Sequence, residues 1–194
     1  MNFAEPILNI IAERPPDFED DFSNPIQEPG YLIVNGHDAD VSEYLTDDGK
    51  LELEGKFDMT LGSQHFKAHD FALQYEIDPN IVNNLREMGI EYRIGELDGN
   101  NKFNFNPVSG NWAFYHENVD SVIDRGRDKE NIEVPAKNLL IVKGNKFAVY
   151  RNDKPLAFVQ YDEVWYDTNQ IIISSYGEQF YATIDNVKFW NLDE

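Results

Sequence analysis

Two carboxylates set two positions apart, Glu76 and Asp78, are the residues whose spacing most invites chemistry. They close the run His69-Asp70-Phe71-Ala72-Leu73-Gln74-Tyr75-Glu76-Ile77-Asp78, in which Phe71, Leu73, Tyr75 and Ile77 alternate with Ala72, Gln74, Glu76 and Asp78. Strict period two puts both acids on one face of a strand, about 7 Å apart. Retaining glycoside hydrolysis needs two carboxyl groups roughly 5 Å apart across the sugar. The pair does not supply that by itself, so the expectation is a set of solvated acids on an exposed sheet face. A glycoside-active enzyme that uses Glu76 and Asp78 with a further acid from a loop is the alternative.

Metal chemistry is less well supplied. The chain has no cysteine, which excludes disulfides, thiolate ligands and cysteine nucleophiles. Of the four histidines, His37, His65, His69 and His116, only His65 and His69 stand four apart. That spacing juxtaposes ligands on a helix, whereas this segment reads as a loop entering a strand. Oxygen-rich turns suit calcium better. Asp98-Gly99-Asn100-Asn101 is one such turn, although it lacks the length and closing glutamate of an EF-hand loop.

Ligand recognition without catalysis needs aromatic platforms beside hydrogen-bonding groups, because a sugar ring has an apolar face and a polar rim. Trp112, Tyr115, Tyr75, Tyr92 and Arg93 fall in predicted strands with one face outside the core, and Gln74 and Glu76 supply polar partners. Trp165 and Tyr166 lie in a predicted loop flanked by acids, where aromatics serve as recognition anchors or cap the end of the domain.

These residues need elements to position them. Residues 5–14 form the best helix candidate: Pro6 suits a first turn, Ile7, Ile10 and Ile11 share a face, and Pro15-Pro16 stops it. So short a helix must dock on something, either its own domain or a partner that Ile7, Ile10 and Ile11 would contact. Asp17–Ser23 reads as a first strand, and residues 26–49 are rich in turn signals. Short strands follow around Leu51–Phe57, at 69–78, Tyr92–Gly95, Lys102–Asn106 and Asn111–His116, with 80–88 a short helix or an excursion. Then come Leu139–Val142, Phe147–Tyr150, Leu156–Tyr161, Ile171–Ser175, Phe180–Ile184 and Val187–Leu192. Gly144-Asn145 and Asn152-Asp153 have hairpin chemistry. Many short strands separated by turns, without a βαβ rhythm, predict an all-β sandwich or barrel.

Three stretches carry a resemblance. They are Phe18-Glu19-Asp20-Asp21-Phe22-Ser23, the hairpin Asn138–Asp153 with Lys154-Pro155-Leu156-Ala157, and the closing Thr183-Ile184-Asp185-Asn186-Val187-Lys188-Phe189-Trp190. With them the chain resembles a concanavalin A-like lectin/glucanase domain, closest to the small 3-keto-disaccharide hydrolase-like and LamG-like jelly rolls. The resemblance spans residues 17–194, with 1–16 as a helix and linker. It implies a jelly-roll sandwich of two antiparallel sheets, and a structural calcium near the first and last strands, with Asp20 or Asp21 beside Asp185. It also implies that a catalytic member would need a glutamate at position 80, where this chain has Asn80.

Charge narrows the partners. The 194 residues hold 36 acidic and 16 basic side chains, a net charge of −20. So acidic a surface repels phosphate backbones and anionic membranes, leaving glycans, cations and basic protein patches. No apolar run is long enough to span a bilayer, and the N-terminus lacks a signal peptide's basic and apolar regions. The chain is thus expected to stay inside the cell or to be a piece of a longer exported protein. The reading is a non-catalytic module for a glycan or a partner protein. A structural domain that assembles through its N-terminal helix is the second alternative.

Overall fold

A computed structural model of the chain describes residues 3–54, 59–79, 87–92, 101–106, 110–116, 121–128, 135–162, 169–176 and 181–193. These form two antiparallel sheets packed face to face. Sheet A runs β1 (Phe18–Asp20), β15 (Tyr181–Asn191), β6 (Phe71–Pro79), β11 (Ala136–Lys143), β12 (Lys146–Arg151) and β13 (Lys154–Gln160), with β4 (Leu51–Glu54) also pairing β15. Sheet B runs β10 (Ser121–Arg127), β9 (Asn111–His116), β8 (Asn101–Phe105), β7 (Glu87–Tyr92), β14 (Gln170–Tyr176), β5 (Met59–Lys67), β2 (Leu32–Val34) and β3 (His37–Ala39). The order interleaves distant segments, as a jelly roll does.

The alternation in β6 organises the sandwich. Phe71, Leu73, Tyr75 and Ile77 enter the core between the sheets, where Phe71 meets Tyr92 edge-on with ring centroids 5.7 Å apart. Phe103 and Phe114 from β8 and β9 face them from sheet B. Ala72 points the other way, into a second apolar layer with Leu139, Ile141, Ala148, Tyr150 and Trp190. Helix α1 (Ala4–Glu13) covers this layer.

Ala4, Ile7, Leu8 and Ile11 make the helix's docking face, at i, i+3, i+4 and i+7. The helix has no side-chain N-cap, and its chain turns extended at Arg14, ahead of Pro15. Its C-terminal end is instead tied to β15. The Trp190 indole N–H donates to the Arg14 carbonyl at 3.1 Å, and the Arg14 guanidinium donates to the Asn191 carbonyl at 2.7 Å. Ile7 and Ile11 therefore pack on their own domain and are not free for a partner, which corrects the expectation that the three isoleucines form one docking surface. Ile10 alone among them is exposed, at 45%. No described helix is long and apolar enough to cross a membrane.

Four elements escaped the sequence pattern. Strand β7 begins at Glu87, inside the stretch expected as a short helix or excursion, and ends at Tyr92, where the expected strand begins; residues 93–95 lie outside the described residues. The stretch expected to be loop-rich contains the β2–β3 hairpin, whose turn residues Asn35 and Gly36 both take positive φ, the type I′ geometry. Strand β5, Met59-Thr-Leu-Gly-Ser-Gln-His-Phe-Lys67, is broken by Gly62 and by polar residues, and its register with β14 is irregular. Strand β10, Ser-Val-Ile-Asp-Arg-Gly-Arg, carries a bulge between Val122 and Asp124 that destroys its alternation. Conversely, the two expected closing strands are one, β15, bulged between Asp185 and Lys188 with Asn186 at φ 50°. The Gly144 and Asn152-Asp153 turns behave as expected, all three at positive φ. Residues 80–86 lie outside the described residues.

Trp190→Ala removes the largest side chain of the helix seat and one end of its anchoring hydrogen bond. The expected loss is about 3–5 kcal/mol of unfolding free energy by urea titration. Ile10→Asp, on the exposed side of the same helix, should stay within about 0.5 kcal/mol of the parent.

Candidate functional site

The outer face of sheet A is largely sheathed by α1, while the outer face of sheet B is polar. Strand parity decides which residues stand there. Phe103 and Phe105 take the core side of β8, so Lys102 and Asn104 take the outer side; Phe114 sends Ala113 and Tyr115 outward in the same way. Arg125 pairs with Ala113 and Arg127 with Asn111, which brings both arginines to that face from the edge strand. Glu91 and Ser174 continue it through β7 and β14.

An open groove of about 510 Å³ lies at the β8–β9–β10 end, lined by Asn104, Asn111, Trp112, Ala113, Tyr115, Arg125, Gly126 and Arg127. Two residues without bulk make room for it. Asn104 is flanked across the ladder by Ala113 on one side and Gly89 on the other, so no long side chain crowds it. Gly126 sits opposite Trp112, and a Cβ there would fall 2.5 Å from the indole. The indole thus lies over strand β10 because position 126 has no side chain. Trp112 is half-buried and meets Phe114 edge-on at 6.2 Å.

Beyond the groove the face is held by a compensated charge. Lys102 Nζ lies 3.5 Å from Glu91 Oε1, and the Ser174 hydroxyl donates to the same oxygen at 3.4 Å. All three side chains are largely shielded from solvent, where a lone charge would be costly. Asn104, Asn111, Tyr115 and the arginines present donors, acceptors and a ring edge to one opening, which suits a polyhydroxyl ligand.

Of the residues that the sequence suggests for ligand contact, Tyr115 turns its side chain to this groove; Trp112 borders it, but its indole packs on the core side with Phe114, because it shares the parity of Phe105 and Phe114. Tyr75 and Tyr92 do not reach solvent. Both are buried in the core, Tyr92 against Phe71 and Phe147, because each falls on the apolar parity of its strand. Burial also raises the Tyr75 phenol well above the ordinary tyrosine range. Gln74 and Glu76 stand on the outer face of sheet A, with Glu76 between Lys137 and Asp185, so the sandwich separates them from Trp112 and Tyr115. Arg93, Trp165 and Tyr166 lie outside the described residues.

The residues the sequence missed are Asn104, Asn111, Arg125 and Arg127. Asn104 was readable, since Lys102-Phe103-Asn104-Phe105 alternates and the two phenylalanines claim the core. Arg125-Gly126-Arg127 carries the same signal in miniature, hidden by the bulge before it.

The acids expected near the ends of the sandwich are occupied by protein donors. Asp20 is buried; its Oδ1 accepts the Phe22 N–H at 2.7 Å and its Oδ2 the Tyr31 hydroxyl at 2.6 Å. Asp21 accepts from the backbone N–H and the hydroxyl of Ser23, which hold its carboxyl below the usual range. Asp185 accepts the Asn186 N–H. Glu19, Asp20 and Asp21 do border a smaller groove of about 350 Å³ with Asn186 and Lys188. Yet no three described His, Asp or Glu side chains converge in a way that could hold a metal ion. The histidines are dispersed: His65 stacks on Phe18, His69 lies by Asp193, and His116 is buried near Tyr161.

No family model matches the sequence, and no curated protein does. Solved structures share the fold. A protein of unknown function with a galectin-like fold from Bacillus subtilis superposes with a TM-score of 0.67 at 8% identity, over 92% of this chain and 96% of that one. The carbohydrate binding module CBM66 from Bacillus subtilis gives 0.62 at 17% identity, over 86% of this chain and 100% of that one. The galectin LEC-6 from Caenorhabditis elegans gives 0.50 at 13% identity, over 71% and 94%. The chain therefore shares the jelly-roll sandwich fold of these structures.

Gly126→Ala should cost about 1–3 kcal/mol by forcing the indole aside, and close to nothing in a Trp112→Ala background, as a double-mutant cycle by urea unfolding would record. A second expectation concerns Asp185. Burial, with Glu76 and Asp21 nearby, raises its carboxyl above the usual 3.8. A raised carboxylate favours the folded state only while protonated, and that contribution is lost as pH rises through the folded value. Asp185→Asn should therefore raise Tm at pH 7, with the gain vanishing below about pH 3.8, the unperturbed carboxylate value.

Proposed function

We propose that this chain is a non-catalytic binding module that takes a glycan in the groove formed by β8, β9 and β10. The observation that carries the reading is the convergence of Asn104, Asn111, Tyr115, Arg125 and Arg127 on one solvent-open depression beside a compensated Lys102–Glu91 pair. Sugar hydroxyls need paired donors and acceptors, and the flank of a pyranose packs on a ring. Neighbours of the same fold include one named as a carbohydrate binding module and one as a galectin, which supports the same choice of ligand class.

The absence of catalysis is part of the proposal. Glu76 and Asp78 share the outer face of sheet A, away from the groove, and Glu76 is flanked by Lys137 and Asp185 across the ladder. Neither carboxyl lines the depression in which a sugar would rest. A partner protein is the lesser reading. It would use the exposed Ile10 and Phe158 on the helix side of sheet A.

The test is a glycan array followed by calorimetric titration of the best ligand. Tyr115→Ala and Asn104→Ala should each weaken binding at least about tenfold, the equivalent of losing one well-made polar or stacking contact. Glu76→Gln should leave binding unchanged, and no glycan should be cleaved. Binding lost on Glu76→Gln, or hydrolysis abolished by it, would overturn the proposal.

A further inference from the structure

The groove's own charge points to the ligand's chemistry. In a chain of net charge −20 with only six arginines, two of the six, Arg125 and Arg127, border one groove. They stand at i and i+2 on the outer side of the edge strand β10, paired with Ala113 and Asn111. Such a placement concentrates positive charge where the rest of the surface is acidic, and it does so with the side chain whose flat fork matches an oxyanion.

The described acids near these arginines have partners of their own. Asp124 Oδ1 accepts the backbone N–H of Arg125 at 2.8 Å, as a turn acceptor. Asp128 lies near enough to the buried Arg151 to stabilise its charge, which burial otherwise disfavours. Glu91, farther along the face, is matched by Lys102. Arg125, by contrast, is exposed, and its guanidinium makes no ion pair among the described residues. Distant surface acids weigh little against a contact at about 3 Å, because charges beyond roughly 8 Å are screened at physiological salt.

We infer that the groove selects a glycan carrying an oxyanion, a uronate or a sulfate ester, seated on the Arg125 and Arg127 guanidinium groups beside Asn104 and Tyr115. This rests on the glycan reading above and narrows it to acidic sugars. The two arginines act as positioning charges: they fix which residue of the saccharide enters and in which direction. A neutral sugar would leave the Arg125 guanidinium with only hydroxyl partners, roughly half as strong.

The experiment titrates the whole chain with three oligosaccharides of matched length: a neutral one, an oligogalacturonate and a sulfated galactan. At low salt at least one acidic ligand should bind ten times or more tighter than the neutral one. That advantage should shrink as salt is raised toward molar concentration. Arg125→Ala should abolish the advantage and Arg125→Lys should restore part of it, with thermal melting unchanged in both because the side chain is exposed. Which acidic arm binds identifies the oxyanion. Equal or tighter binding of the neutral ligand would sink the acidic-sugar inference and leave the glycan proposal standing. If none of the three binds and the wider array is also blank, the glycan proposal itself fails.

Discussion

The structure depends on the two-faced burial of strand β6. Its odd-numbered residues, Phe71 to Ile77, close the core between the sheets, and Ala72 on the other side begins a second apolar layer under the helix. β6 also pairs with both β11 and the closing strand β15, so the chain's long-range order is set where its apolar alternation is strictest. The ends of the domain are drawn to the same place. Strand β1 pairs with β15, Arg14 bonds to the Asn191 carbonyl, and Asp193 accepts the N–H groups of His69 and Asp70. Local opening there would expose both layers at once, so the termini and the centre are bound to unfold together.

That arrangement assigns opposite fates to the two outer faces. On sheet A the outward positions of β11, β12 and β15 include Leu139, Ile141, Tyr150 and Trp190, too much apolar area to leave in water. The helix is recruited to cover it, despite lacking a capping side chain. On sheet B the outward positions include Lys102, Asn104, Glu91 and Ser174, which need hydrogen-bonding partners and gain nothing from a cover. The open polar face is thus a consequence of sequence parity, and the groove forms where Gly89 and Ala113 thin that face.

Charge follows the same division. Glu76 and Asp185 stand directly opposite across the β6–β15 ladder, and Glu76 adds to the burial that raises the Asp185 carboxyl. The bulge at Asn186 follows at once and lets the strand twist away before Lys188 faces Gln74. Sheet A's outer face therefore carries opposed carboxylates, while Arg125 and Arg127 stand on the edge strand of sheet B. The field of so acidic a chain is uneven, since two of its six arginines border one groove.

What the sequence by itself determined is the fold class and the elements with unbroken alternation. The inward and outward faces of β6 were legible, as were the Gly144 and Asn152-Asp153 turns, because period two and positive φ are local constraints that any context must respect. The split of Phe189 inward and Trp190 outward follows from the same rule. Only the tertiary structure decided which outward face is covered, since Gln74, Glu76, Trp112 and Tyr115 all read as outer candidates until the strands are assigned to sheets. It also decided that Tyr75 and Tyr92 are core, because a hydroxyl on an otherwise apolar parity cannot be ranked by sequence. Arg125 and Arg127 were invisible for a further reason: a bulge shifts the register between Val122 and Asp124, and only the pairing of β10 with β9 restores the face on which they stand.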